Sequence, residues 1–92
     1  MVKEMGYSLT EFARVLPPAM RDWQVSGEPG RWQVSIGGQP AVSISLVSQP
    51  PRSMGMLSIP VSSVTIRFEQ DDAMIVTEFM TRFERGFHRG GG

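Results

Sequence analysis

The sequence predicts a two-layer α+β fold in the order α-β-β-β-β-α, an antiparallel four-stranded meander with both helices on one face. Three observations carry that expectation. Period-two apolar runs bounded by turn residues recur from Asp22 to Phe68. A capping box opens a short helix before them, and an apolar stripe at helical spacing follows them. The length of 92 residues suits one domain. A chain this short buries only about 60–65% of its unfolded surface, so its core is small.

The first helix starts at Ser8-Leu9-Thr10-Glu11. The Ser8 hydroxyl is placed to accept from the Glu11 amide while the Glu11 carboxylate accepts from the Ser8 amide. Tyr7 and Phe12 then stand at the two positions of a hydrophobic staple. Pro17-Pro18 lack amide hydrogens and bias Leu16 away from helical angles, which predicts a helix over residues 9–16.

Three short strands come next. Trp23 and Val25 alternate with Gln24 and Ser26; Trp32, Val34 and Ile36 with Gln33 and Ser35; Val42, Ile44 and Leu46 with Ser43 and Ser45. Gly27-Glu28-Pro29-Gly30 and Gly37-Gly38-Gln39-Pro40 supply the turns. Trp-Gln-Val-Ser occurs at 23–26 and again at 32–35. Pairing Ser26 with Arg31 would set Val25 against Trp32 and Trp23 against Val34, both favourable cross-strand pairs. Pro50-Pro51 argues against a central strand and marks residues 48–56 as a loop. The fourth strand covers 57–68, where Leu57, Ile59 and Val61 have the opposite parity to Val64, Ile66 and Phe68. A bulge at Ser62-Ser63 would restore one face.

Asp71 or Asp72 can cap the second helix. Met74, Ile75, Val76, Phe79, Met80, Phe83 and Phe87 give it a broad apolar face, Glu78 and Arg82 an i,i+4 pair, and Gly90 an end. The expected division is a single domain over 1–89 and a flexible glycine tail over 90–92. Gly91-Gly92 resembles the diglycine ends of ubiquitin-like proteins, which lead into the tail with a strand where this pattern has a helix.

Nine Lys/Arg and nine Asp/Glu give a formal net charge of zero, which excludes a generally basic nucleic-acid binder. The absence of cysteine excludes disulfides, thiolate nucleophiles and cysteine-ligated zinc. No run approaches ~18 apolar residues and the first twelve lack a signal-peptide core, so the expectation is a soluble, cytoplasmic chain with no membrane partner. His88 is the only histidine, and a helix end is a poor platform for a catalytic triad. Asp71-Asp72 suit capping better than metal ligation, and the glycines at 37–38 lack the lysine and helix of a phosphate loop. No catalytic residue, metal or cofactor site is therefore expected.

The charges are unevenly placed. From Trp32 to Ile66, thirty-five residues, the only charge is Arg52. Serine and glutamine supply the polar face of the strands instead. The expected contact surface is therefore the sheet around Gln33, Ser35, Ser43 and Ser45, in a non-enzymatic protein-interaction or self-association module, with a protein partner or a second copy. The alternative is nucleic-acid or phosphate binding by Arg82, Arg85 and Arg89, one helical stripe, with the Arg-Gly-Gly end. Arg52, between two prolines and a Met-Gly-Met turn, is a further candidate for contact with a partner or an anion.

Overall fold

Even-numbered side chains of three successive strands build one wall of the core. The computed structural model describes residues 1–88. Its elements are β1 (Val2–Met5), α1 (Leu9–Met20), β2 (Gln24–Glu28), β3 (Arg31–Ile36), β4 (Gln39–Met54), β5 (Leu57–Phe68) and α2 (Ala73–Gly86). The register aligns Trp32, Ile44 and Ile66 in one row and Val34, Val42 and Phe68 in the next. All but Phe68 are buried. Such cross-strand apolar pairs are the unit of sheet stability.

The α+β class holds, with two helices and an antiparallel sheet. The sheet has five strands in the order β1-β5-β4-β3-β2, so the four-stranded meander is extended by a strand that precedes the first helix. That strand, Val-Lys-Glu-Met, has no apolar alternation to announce it. Its pairing with β5, from Val2 opposite Thr65 to Met5 opposite Ser62, comes from a tertiary partner rather than from local pattern.

Both helices lie on the even-numbered face. Phe12 of α1 packs on Trp32 of β3 with ring centroids 5.0 Å apart, and on Phe83 and Phe87 at 6.2 and 4.6 Å. Phe79 of α2 meets Phe68 of β5 edge-on at 5.5 Å. The capping box at Ser8 is formed, with its two bonds at 3.0 and 3.1 Å, and Asp72 caps α2 by accepting from the Met74 and Ile75 amides. Phe79, Phe83 and Phe87 of the expected α2 stripe are buried, whereas Met74 is exposed.

Four local expectations are corrected. Helix α1 does not stop at residue 16 but runs to Met20 with both prolines inside it. The prolines face solvent, and the extra turn buries Met20 on the stripe begun by Phe12 and Leu16. Burial of a methionine contributes ~1.5–3 kcal/mol against about 3 kcal/mol for each interior proline, so it offsets part of the cost of the pair. Residues 48–54, expected as loop, continue β4. Beyond Leu46, whose amide donates to the Gly30 carbonyl, that strand has β5 on one side only, and the register shifts between Gln49 and Arg52, so the prolines occupy an edge and a bulge.

No slip occurs at Ser62-Ser63. These residues pair in unbroken register with Ser48 and Val47, and the irregularity falls on β4 instead. Ser62 therefore points into the core, fully buried, and its hydroxyl donates to the Tyr7 carbonyl at 2.5 Å. The first hairpin is also tighter than expected: Glu28 pairs with Arg31 and Val25 with Val34, so Pro29-Gly30 alone form the turn. Gly27 makes this possible. Its φ is +109°, and a side chain there would strike the Arg31 carbonyl.

Helices α1 and α2 approach closely where Gly86 faces Ala19, and a methyl on Gly86 would overlap the Ala19 Cβ. Helix propensity alone makes Gly86→Ala stabilising by roughly 0.5–1 kcal/mol. Overpacking reverses the sign: Gly86→Ala is expected to destabilise the fold by about 1–3 kcal/mol in urea unfolding. Adding Ala19→Gly is expected to recover part of the loss. A stabilised single variant would contradict the crossing.

Candidate functional site

The face opposite the helices is built from the odd-numbered residues of β3, β4 and β5. Gln33 pairs with Ser43, which pairs with Arg67; Arg31 pairs with Ser45, which pairs with Thr65. Gln33, Ser43, Ser45 and Thr65 floor an open concavity of about 510 Å³, with Arg31 and Arg67 at its two sides. Ser35, half-buried, is not in its lining, because the register between β3 and β4 shifts after Val34. Ser43 already has a partner, donating to Glu69 Oε1 at 2.5 Å. Arg31 and Arg67 are exposed and make no ion pair among the described residues.

The expected arginine stripe is divided. Arg82 turns inward, its side chain only 14% exposed. Its guanidinium donates to the Met20 carbonyl at 2.6 Å, to Asp22 at 2.9 Å and to Glu78 at 2.8 Å, and lies 3.9 Å over the Trp23 ring. One side chain thus joins the end of α1, the turn that leads to β2 and a turn of α2. The planar five-donor fork suits this task, and the indole adds a cation–π contact. Arg85 is exposed at the end of α2, and Arg89 lies outside the described residues, as does the glycine tail.

Arg52 reaches Glu4 of β1 at 2.9 Å, with both side chains more than 60% exposed. A solvated pair of this kind contributes at most about 1 kcal/mol. It holds Arg52 against β1 rather than toward the concavity. Arg52, Arg82 and Arg85 therefore do not converge on one site. Among the described residues no three His, Cys, Asp or Glu side chains gather to hold a metal. No described helix is long and apolar enough to cross a membrane.

Arg31 and Arg67 were not singled out by charge counting. They bound the sparsely charged span at its two ends, and the parity that assigns Gln33 and Thr65 to the polar face assigns the arginines to it as well. No family model matches the chain, and no curated protein or solved structure is significantly similar to it.

The Arg82 cluster has consequences for stability. The hydrogen bond from Arg82 holds the Asp22 carboxyl below its usual 3.8, and Glu78 first, then Asp22, keep the guanidinium more firmly protonated. Arg82→Ala is expected to cost about 1–3 kcal/mol in urea unfolding, and Arg82→Lys to restore only part of it, because one ammonium cannot span three acceptors on different elements. Asp22 is lowered in the folded state, so its contribution is present above pH 3.8 and lost as pH falls through the folded value. Asp22→Asn is expected to flatten the acid limb of the stability–pH curve below that point. An unchanged limb would show that the pair is not maintained in solution.

Proposed function

We propose that this chain is a protein-interaction or self-association module whose contact surface is the open face of the sheet, with Gln33, Ser35, Ser43 and Ser45 in the contact. The observation that carries this reading is the placement of both helices over one face. The other face ends in short hydroxyl and amide side chains between Arg31 and Arg67, and no helix among the described residues lies over it. Short uncharged groups suit a contact surface. Serine loses little rotamer freedom on burial, and its desolvation costs far less than that of a charge. Interface cores are correspondingly depleted in charged residues. Nucleic-acid or phosphate binding along the C-terminal stripe has less support, because Arg82 is committed to Met20, Asp22 and Glu78.

Light scattering and sedimentation across a concentration series test the self-association form, and cross-linking in extract tests the form with another protein. The expected outcome is a mass that rises with concentration, or one reproducible partner, either of them lost in Gln33→Glu/Ser45→Glu with the unfolding midpoint preserved. A strict monomer that also captures no partner would overturn the reading.

A further inference from the structure

The two charges that flank the span containing only Arg52 lie on the same face of the sheet, one on each side of β4. Arg31 on β3 is level with Ser45 on β4, and Arg67 on β5 is level with Ser43. Two strand spacings and two residues of rise separate the arginine Cα atoms by roughly 12 Å. Each stem is long enough to bring its guanidinium over the β4 serines. Two acids face this region: Glu28, level with Arg31 on β2, and Glu69, just past the end of β5. Neither forms an ion pair with these arginines, and Glu69 accepts from Ser43. Between the arginines, the concavity presents the hydroxyls of Ser45 and Thr65 and the amide of Gln33. The groups at its centre are thus rich in donors, and paired guanidiniums recognise planar or tetrahedral oxyanions through charge-assisted hydrogen bonds.

We infer that the open face carries an oxyanion subsite, in which Arg31 and Arg67 grip a carboxylate or phosphate presented by a protein partner, with Ser45 and Thr65 donating from the floor. The inference rests on the reading of this face as a contact surface and names the partner's chemistry: an acidic or phosphorylated side chain. Glu69 competes for the same donors, so its neutralisation strengthens binding. The charge complementarity is local. Arg52, Arg82 and Arg85 take no part.

Amide NMR titration of the full chain at low ionic strength tests it with three probes: blocked phosphoserine, blocked glutamate and blocked serine. Saturable shifts at Arg31, Ser45, Thr65 and Arg67 are expected with phosphoserine, glutamate or both, and none with serine. The acid that responds identifies the source of the oxyanion. Arg31→Gln/Arg67→Gln is expected to weaken binding about tenfold or more, Glu69→Gln to strengthen it, and Arg14→Gln, on α1, to leave it unchanged. No response, an equal response to serine, or binding indifferent to the double substitution would overturn the subsite. The functional reading fails separately. Partner contact that survives Arg31→Gln/Arg67→Gln overturns the subsite alone, whereas oxyanion binding with no contact at the face overturns the module and leaves the subsite standing.

Discussion

Phe12 is the joint on which the architecture depends. It is fully buried, stacks on Phe87, leans on Phe83 and rests against Trp32, so a single ring touches the first helix, the last helix and the sheet. Removal of such a ring typically costs ~3–5 kcal/mol, a large fraction of the ~5–10 kcal/mol that holds a domain of this size. The joint also has a geometric consequence. Two helices that share one aromatic cluster occupy one layer, and a single layer of helices leaves the far side of the sheet open. The close approach of Gly86 to Ala19 keeps that layer tight, and Arg82 fastens its margin to the start of β2.

Much of this was legible in local chemistry. The Ser8 capping box, the aspartate cap of α2 and the assignment of Trp32, Val34, Val42 and Ile44 to the core all follow from spacing and hydrogen-bonding capacity. The misses arise where a distant partner overrides a local preference. Pro17 and Pro18 favour an end to the helix, yet the burial of Met20 holds the next turn in place. Pro50 and Pro51 exclude a central strand but not an edge, and whether β4 has a neighbour there depends on where β3 begins. Residues Val2–Met5 carry no strand pattern and are recruited by the free side of β5. Ser62 shows the same limit: a serine at a core position reads as a break in pattern until the Tyr7 carbonyl is found beside it.

The candidate surface was legible in composition and only half legible in detail. The long stretch with a single charge directs attention to the central strands, and Gln33, Ser43 and Ser45 line one concavity. The arginines that matter most to its electrostatics sit just outside that stretch, and only the register brings them together. Arg82 looks available from its helical spacing but is enclosed by Asp22 and Trp23, contributed by the turn between α1 and β2, and by Glu78 one turn back on its own helix. Net neutrality therefore conceals a separation: most charges lie on the helices, turns and outer strands, while Arg31 and Arg67 flank a span whose single charge, Arg52, is paired with Glu4. It is a distribution suited to local recognition rather than to long-range attraction.

The central claim is that one face of the sheet is sealed and the other is free. Because the chain has no native cysteine, thiol labelling of single-cysteine variants measures this directly. The account predicts that exposed Thr65→Cys reacts at a rate close to that of the exposed helical control Thr77→Cys and half-buried Ser45→Cys more slowly but without unfolding, while Val42→Cys and Ile44→Cys react only through unfolding. Equal rates at neighbouring positions of β4, or protection of Ser45→Cys in dilute monomer, would contradict it.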